Sequence, residues 1–555
     1  MDEKASPSCQ WPVSQESTRV ILPQLAQEPE AIDEMHDSQH LEDPEDSSDE
    51  IKYPKPWRLA LITFGLCLAI LCTALDNTII TTAIPEITKH YNSLQDVGWY
   101  GSAYLLASCA LTLPFGKLYT FYSTKWVFMA ALGVFEVGSL VCALAPTSTA
   151  LIVGRAIAGL GAAGLYSGAM IIISQTVALD KRPILNGLLG AMYGIASVTG
   201  PLMGGAFTDY LSWRWCFYIN LPIGGITALF IMMFFQAPKS IKNTHGFRNQ
   251  LSQLDLVSML LFIPSITCLL LAMQWGGSKY PWGDGRIIAL FVVFCVLLLA
   301  FVFMQWWRGD LATISPRLIK NRNVWGASVF IFCLSGSFLV IVYYIPIWFQ
   351  AVKGVSATKS GIMSIPILLC IVITSLLAGV IVTTLGYYTP FMLVAPVITA
   401  IGAGLLTTLH VESGHTAWIG YQAMAGIGVG MGLQQSMIVF QAVLPMADIP
   451  SATTIGLFAQ SLGGALFISV GQEVFQTKLR SNLRSELPGV DTGFVMRAGA
   501  TKLNKVVDAA DLPVVLDAYS KAITQTFYVS VTIGALAIIG ALPVQWISVK
   551  KTKLQ

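Results

Sequence analysis

The sequence predicts an all-α polytopic membrane protein. Of its 555 residues, 54% are apolar and only 12% are charged, whereas a soluble globular protein carries about 25% charged residues. The apolar residues gather into stretches of about 20, the length that a helix needs to cross a bilayer. The ten cysteines show neither a disulfide framework nor the spacing of metal ligands. We therefore expect neither a metal nor a cofactor.

Fourteen stretches are long and apolar enough to be predicted as spans. They lie at residues 59–84, 98–118, 126–146, 150–173, 184–207, 215–235, 256–275, 286–306, 324–345, 360–382, 390–410, 418–440, 452–472 and 525–547. Pro114 interrupts the second and Pro366 the tenth. Spans seven and eight are the pair that a protein built from two six-helix halves would lack.

The polar segments between these spans divide the chain into five regions. Residues 1–50 carry fourteen acidic side chains against Lys4 and Arg19, the composition of a disordered tail. The predicted regions are an acidic tail at 1–58, a six-helix half at 59–235, a linker with the two extra spans at 236–323, a second six-helix half at 324–547 with an outer loop at 473–524, and a short tail at 548–555.

The distribution of Lys and Arg predicts the orientation in the membrane. With the N-terminus in the cytoplasm, the inner segments carry seventeen of these residues and the short outer loops carry six. Short cytoplasmic loops are enriched in Lys and Arg, and an even number of spans returns the chain to its starting side. Both termini are thus predicted to be cytoplasmic.

Ionisable residues inside spans are costly, so each is a functional hypothesis by default. Asp76 lies in span one and must face the interior of the bundle, either as a carboxylate that binds a proton or a cationic group, or as a hydrogen-bonded structural residue. Arg155 lies in span four and is charged at any relevant pH. It either responds to a nearby carboxylate or extends to the outer surface. For Glu136, in span three, glycines and a serine nearby favour a structural role in helix packing.

Uncharged polar and aromatic residues at membrane depth are candidates for a substrate cavity. Asn77 follows Asp76, Tyr104 and Tyr193 lie deep in spans two and five, and Gln434 and Gln435 lie in span twelve. Each glutamine either binds a substrate or joins helices by hydrogen bonds, the second being somewhat favoured.

Span five is unusually rich in glycine. Gly187, Gly200, Pro201, Gly204 and Gly205 lie within one apolar stretch, although a glycine costs about 1 kcal/mol and a proline about 3 kcal/mol in a helix in water. In a membrane helix small residues are tolerated and let neighbouring helices approach closely. This pattern predicts a helix that packs tightly and bends.

Five motifs together resemble those of the fourteen-span drug:proton antiporter family of the major facilitator superfamily, in its fungal toxin-efflux branch. They are Leu75 to Pro85; the loop Gly116 to Lys125; Arg155 with Gly159 and Gly161; the span-five glycines; and Trp213 to Pro222. The family usually has Asp, Gly and Arg where this loop has Thr120, Ser123 and Thr124, a Gln where it has Ala158, and a Gly where it has Ala196.

The resemblance implies a major facilitator fold with two six-helix halves plus two extra spans. It implies export of hydrophobic small molecules in exchange for protons, with Asp76 and Arg155 in proton coupling. It further implies that Gly116, Lys117 and Lys125 take part in gating together with the span-five glycines and Pro201. The expected setting is a monomer in the plasma membrane or, alternatively, in a vacuolar or vesicular membrane.

Other functions fit the sequence less well. A siderophore or nutrient carrier of the same superfamily would need more charged residues in its cavity. A membrane sensor would need a larger cytoplasmic domain than the acidic tail. No phosphate-binding loop, zinc-protease motif or nucleophile elbow is present in the sequence, so neither an enzyme nor an ATP-driven pump is predicted. The net charge of +2 and the absence of a basic, aromatic-rich patch predict no nucleic-acid partner.

Overall fold

The computed structural model describes residues 54–93, 96–237, 255–277, 279–309, 312–487, 507 and 511–550. The predicted acidic tail up to residue 53, parts of the linker and of the predicted outer loop, and residues 551–555 lie outside this range. Within the described residues the protein is helical, and β-structure is limited to two isolated bridge pairs, Gly276 with Tyr280 and Tyr387 with Ser548.

The described part contains fourteen long helices. They are α1 (Pro56–Tyr91), α2 (Val97–Phe121), α3 (Thr124–Leu144), α4 (Ser148–Thr176), α5 (Arg182–Tyr210), α6 (Trp215–Phe234), α7 (Leu256–Trp275), α8 (Gly285–Arg308), α9 (Arg322–Val352), α10 (Thr358–Leu385), α11 (Thr389–Leu406), α12 (His415–Val443), α13 (Ile449–Glu486) and α14 (Leu512–Ala541). A short helix, Pro316–Lys320, precedes α9.

Twelve of these described helices are apolar and long enough to cross a membrane by composition alone. The protein is therefore a multi-pass membrane protein. The other two, α2 and α5, are as long as their neighbours, with 25 and 29 residues. Polar and small residues lower their hydropathy, and both lie between the halves of the bundle.

The two prolines that interrupt predicted spans act differently. The α2 helix continues through Pro114. At Pro366 a short segment, Ala357–Met363, ends and the chain resumes as Ile365–Leu385 with the proline in its first turn, a position where the missing N–H costs nothing.

The described residues at both ends of the predicted outer loop 473–524 are helical, which corrects the extent given to the loop. The α13 helix continues to Glu486, and α14 already begins at Leu512. Leu479 and Leu483 of α13 are buried in one apolar cluster with Val515 of α14. These extensions are too polar to be recognised as spans, but their apolar faces stabilise each other.

The helices form two halves with the same packing pattern. In the first half α1 packs on α5 and α6, and α4 on α2 and α3; in the second, α9 packs on α13 and α14, and α12 on α10 and α11. The halves meet where α5 lies against α10 and α2 against α13. The α7 helix packs on α2 and α13, and α8 packs on α7, so the extra pair is peripheral.

The bundle has two ends, which we call the terminal face and the opposite face. The terminal face carries the start of α1 and the end of α14, and Lys125 and Asp448 lie there too. One apolar core spans both halves on this side and includes Phe128, Phe330 and Phe440. Towards the opposite face the core divides, with Phe217 in a cluster of the first half and Trp348 in a cluster of the second.

Candidate functional site

The predicted proton-coupling residues form a buried ion pair. Arg155 Nη1 donates to Asp76 Oδ2 at 2.5 Å and to the Asp76 backbone oxygen at 3.2 Å. Both side chains are fully buried. Arg155 Nε also donates to the Tyr100 backbone oxygen at 2.8 Å. The structure thus excludes the alternative in which Arg155 extends to the surface, and it places α1, α2 and α4 around one charge centre.

An uncharged network binds the other oxygen of Asp76. Asn220 Nδ2, at the start of α6, donates to Asp76 Oδ1 at 2.9 Å and to Ser139 Oγ at 3.0 Å. The Cys72 thiol donates to Asn220 Oδ1 at 3.4 Å. None of these three residues was a candidate from the sequence, although Asn220 lies inside the Trp213–Pro222 motif. An amide at the start of an apolar span is the signal that points to it.

Tyr104 belongs to this centre and not to an open cavity. It is buried, its hydroxyl donates to the Thr73 backbone oxygen at 3.0 Å, and the Arg155 guanidinium carbon lies 4.5 Å from its ring centroid. A cation over an aromatic face is attracted to the ring. Tyr104 thus helps to hold Arg155, and its placement differs from the predicted cavity position.

The other cavity candidates lie nearer the boundary between the halves. Tyr193 is 37% exposed, and its hydroxyl is within reach of the Asn77 side chain. Gln434 of α12 faces α5, because a Cβ atom on Gly190 would lie 2.5 Å from Gln434 Nε2. The Gln434 side chain is also within reach of the Tyr166 hydroxyl of α4. Tyr166 was not a candidate from the sequence, where it is one aromatic residue among many.

Gln435 is placed differently from Gln434. Both side chains are buried, but the Gln435 amide donates to the Met431 backbone oxygen of its own helix at 2.9 Å. The predicted cavity set therefore separates into Asn77, Tyr193 and Gln434 at the boundary of the halves, and Tyr104 and Gln435 inside one half each.

The glycines of α5 serve two different contacts. Gly187 faces α10, since a Cβ there would lie 2.7 Å from the Ser375 backbone oxygen. Gly200 and Gly204 face α1, where a Cβ would lie 2.9 Å from Thr78 Cβ and 3.0 Å from Ile79 Cγ1 respectively. Gly205 has no neighbouring atom within 4 Å of such a Cβ. The motif thus combines a contact between halves with a contact inside the first half.

Pro201 lies between these contacts inside α5. Because proline has no N–H, it cannot donate to the carbonyl one turn earlier in the helix. The Thr78 hydroxyl of α1 donates to the Ala196 backbone oxygen at 3.0 Å. This bond holds α5 against α1 in the turn that precedes the proline.

Side-chain hydrogen bonds join the halves on the terminal face. Asn186 Nδ2 of α5 donates to Gln441 Oε1 of α12 at 3.2 Å, and Arg182 Nη1 donates to the Gln441 backbone oxygen at 3.3 Å. Thr120 and Ser451 hydroxyls lie 3.4 Å apart between α2 and α13. Together with the shared core, these bonds close this end of the bundle.

The predicted loop Gly116 to Lys125 is mostly helical, which corrects the prediction: Gly116 and Lys117 lie near the end of α2 and Lys125 lies in the first turn of α3. These three predicted gating residues occupy three environments. A Cβ on Gly116 would lie 3.2 Å from Thr454 Cβ, so this glycine sits at the contact between the halves. Lys117 is buried with its ammonium 5.5 Å from the Phe121 ring centroid. Lys125 Nζ donates to the backbone oxygens of Met232 at 2.7 Å and Phe235 at 2.9 Å. Lys125 therefore caps the end of α6 within the first half.

No group of His, Cys, Asp and Glu suitable for a metal ion occurs in the part of the chain that the structure describes. The centre instead offers one compensated carboxylate, an arginine and a shell of neutral donors. A carboxylate can bind or release a proton, and here that change would also alter its contact with the arginine.

Known proteins are similar to this chain in sequence, and others are similar to it in fold. Residues 66–468 match the model of the Major Facilitator Superfamily. The chain is 58% identical over 514 residues to the MFS-type transporter astH of Aspergillus oryzae, covering 93% of this chain and 91% of that protein. It is 54% identical over 497 residues to the efflux pump roqT of Penicillium rubens, covering 90% and 92%.

Solved structures with low sequence identity share the fold. The human organic anion transporter MFSD10 (TETRAN) superposes with a TM-score of 0.58 at 13% identity, covering 88% of this chain and 100% of that one. The proton:xylose symporter XylE superposes with a TM-score of 0.53 at 15% identity, covering 88% and 95%. Since the family model and the fungal relatives each cover most of the sequence, the chain belongs to the major facilitator superfamily.

Proposed function

We propose that this protein exports hydrophobic small molecules in exchange for protons. The observation that carries the proposal is the buried Asp76–Arg155 pair, both of whose side chains are fully buried. Relatives that are more than half identical to this chain are named efflux pumps and MFS-type transporters, which supports the direction of transport.

The chemistry of the pair supports proton coupling. A buried ion pair is compensated only while both partners are charged, and removing one charge is strongly unfavourable. A proton on Asp76 would leave the guanidinium of Arg155 without its carboxylate. Arg155 would then loosen its bonds to α1 and α2, which changes the packing of the first half. Protonation and a helix rearrangement are coupled in this way.

The division of the core supports a bundle that opens on the opposite face. We propose that all fourteen long helices cross the membrane, with the terminal face and both termini in the cytoplasm. The terminal face is then closed to the cytoplasm and Asp76 is approached from outside. The excess of Lys and Arg on the terminal side supports this orientation. We place the protein in the plasma membrane as a monomer.

The boundary between the halves supports an apolar substrate. Asn77, Tyr166, Tyr193 and Gln434 offer two aromatic rings and a few neutral hydrogen-bonding groups. Apolar burial contributes about 25 cal/mol per Å², and the neutral groups would set the orientation of the substrate. A multiply anionic metabolite would lack countercharges there. We therefore expect several unrelated hydrophobic molecules to compete for transport.

Purified protein in lipid vesicles tests this function. An imposed pH gradient should drive the lipophilic dye rhodamine 6G against its concentration gradient, and an uncoupler should stop the movement. The isosteric Asp76→Asn variant should retain only downhill movement of the dye. Uphill transport that persists with the uncoupler, or in the variant, would contradict proton coupling at Asp76.

The same protein in cells tests the direction. Cells that lack it should retain more of at least one hydrophobic toxin. If these cells retained no toxin more strongly and instead took up less of a sugar or an iron chelate, the protein would be a carrier for import.

A further inference from the structure

A second carboxyl, that of Glu136, lies beside the Asp76 centre. Both Glu136 side-chain oxygens, on α3, are buried without a donor among the described residues. An ionised carboxylate in such a place costs several kcal/mol. The environment therefore accommodates Glu136 as a neutral acid, and this observation argues against a merely structural role in helix packing, where a polar side chain would be hydrogen-bonded.

Glu136 belongs to the same cluster as the ion pair. On α3, Glu136 lies three residues before Ser139, which is about one helical turn. On α6, Gly224 packs against Glu136 and lies four residues after Asn220, again about one turn. The Glu136–Gly224 contact is therefore one turn away from the Ser139–Asn220 contact. A turn spans about 5.4 Å. Since α3 runs away from the terminal face, Glu136 lies about one turn nearer to that face than the Ser139–Asn220 contact.

The space for this carboxyl depends on the absence of a side chain on α6. A Cβ on Gly224 would lie 2.5 Å from Glu136 Cδ and 3.2 Å from Glu136 Cγ. The adjacent Gly225 has no atom within 4 Å of the same position. Gly224 therefore provides the room for Glu136, while Gly225 provides a control position on the same helix.

The arginine of the centre also has an unused donor among the described residues. Arg155 Nη1 and Nε are both bonded, but Arg155 Nη2 is buried without a hydrogen-bond partner in the part of the chain that the structure describes. One cluster thus holds an acceptor and a donor that are both buried and unused. The titratable and charged groups that act on Glu136 are Cys72 and Asp76 from α1. Arg155 of α4, with Tyr104 of α2 against its guanidinium, is linked to Glu136 through its pairing with Asp76.

We propose that Glu136 is a second proton-binding carboxyl of this centre, ionised when Asp76 is protonated. The assignment of protons rests on the proposed function. One guanidinium compensates one carboxylate. When Asp76 takes up a proton from the opposite face, Arg155 loses its partner, and Glu136 releases its own proton towards the terminal face and becomes that partner. One proton enters and one leaves, and the charge of the three side chains is unchanged.

Infrared spectroscopy of the full-length protein in lipid vesicles tests this exchange. At neutral pH the wild type should show the carbonyl band of a neutral carboxylic acid, and Glu136→Gln should lose it. Asp76→Asn should lose it as well, because Glu136 ionises to compensate Arg155. Asp76→Asn combined with Arg155→Gln should regain it, since no cation remains. A wild type without the band, or Asp76→Asn with the full band, would overturn the proposal.

Matched variants separate this role from folding. Glu136→Gln has the size and neutrality of the protonated acid, so it should fold. If it does not, the two Asp76 variants still decide the matter, because they retain Glu136. Gly224→Ala should shift the carboxyl band by crowding the side chain, and Gly225→Ala should leave it unchanged. An unshifted band in Gly224→Ala would place the carboxyl elsewhere and contradict the geometry.

Transport separates this proposal from proton coupling in general. Glu136→Gln should lose export of rhodamine 6G driven by a pH gradient and retain downhill movement. Wild-type uphill export by this variant would refute a role for Glu136 alone. If the wild type itself shows no response to the gradient, the proposed coupling fails, while the infrared band still reports whether Glu136 holds a proton.

Discussion

The two halves share one packing pattern but differ in what they bury. In the first half Asp76, Lys117, Arg155 and Arg182 are all buried. Among the described residues of α9 to α14, the buried polar side chains are uncharged Ser, Thr, Asn and Gln. Ser337 of α9 and Ser530 of α14 form the corresponding kind of interior contact, with each hydroxyl donating to the other residue's backbone oxygen at 2.9 Å.

This difference indicates that the two halves have different roles. A charge pair can change its protonation, and the change alters helix contacts by several kcal/mol. Hydroxyl and amide pairs in a membrane contribute about 0.6 kcal/mol each and do not titrate. We therefore expect proton binding to reside in the first half, while the second half supplies a neutral wall for the substrate.

The largest effect should come from removing the titrating charge. Asp76→Asn keeps the shape of the side chain but cannot exchange a proton, so uphill export should be abolished. Vesicle transport with an imposed pH gradient measures this. The double variant Asp76→Asn with Arg155→Gln should be as stable to heat as the wild type, but it should be as inactive in uphill export as Asp76→Asn alone. Uphill export by either variant would remove the distinction between the halves.

A large effect should also come from filling the contact between α5 and α1. Gly204→Ala places a methyl group against Ile79 and Thr82, and overpacking of this kind costs about 1–3 kcal/mol. The thermal unfolding temperature in detergent and the rate of transport should both be lower than in the wild type. Gly205→Ala is the matched control, because its methyl group meets open space. Equal behaviour of the two variants would show that these helices do not approach as closely as described.

A smaller effect should come from the bonds that join the halves. Gln441→Ala removes the partner of Asn186 and should cost about 0.6–1.7 kcal/mol. Since this contact joins the halves on the terminal face, which is closed in this structure, the variant should shift the population towards opening on that face. Labelling of a cysteine introduced at Ser451 should become faster. Unchanged labelling would mean that the shared core alone closes this end.

The smallest effect should come from the neutral pair of the second half. Ser337→Ala removes one hydroxyl of the Ser337–Ser530 contact and should lower stability by about 0.6 kcal/mol. Transport by the Ser337→Ala variant should depend on the pH gradient in the same way as transport by the wild type. A changed gradient dependence would assign proton chemistry to both halves.

Much of the architecture follows from the sequence because the bilayer restricts the possibilities. Backbone groups in hydrocarbon must be paired internally, so each apolar stretch of about 20 residues becomes a helix. The predicted spans accordingly coincide with long helices, including α2 and α5, whose hydropathy is lower. The extensions of α13 and α14 were missed because they are amphipathic and gain their stability from each other.

The functional residues were predictable only in part. A charged residue in a span must be compensated, so Asp76 and Arg155 are identifiable without a structure. Whether Arg155 reaches Asp76 or the surface was left open by the sequence, since both are compatible with its position near the start of α4. Only the packing of α1 against α4 decides it.

The sequence by itself determined that this chain is a helical membrane protein of the major facilitator type with a few charges inside. Hydropathy and motifs can be recognised along the chain without knowing how its segments pack together. The tertiary structure decided which side chains share a site. It joined Asn220, and through it Ser139, to Asp76, and it directed Gly187 to α10 but Gly204 to α1. It also left the Glu136 oxygens without a hydrogen-bond partner among the described residues. Those contacts depend on how separate helices rotate against one another, and no single segment of sequence carries that information.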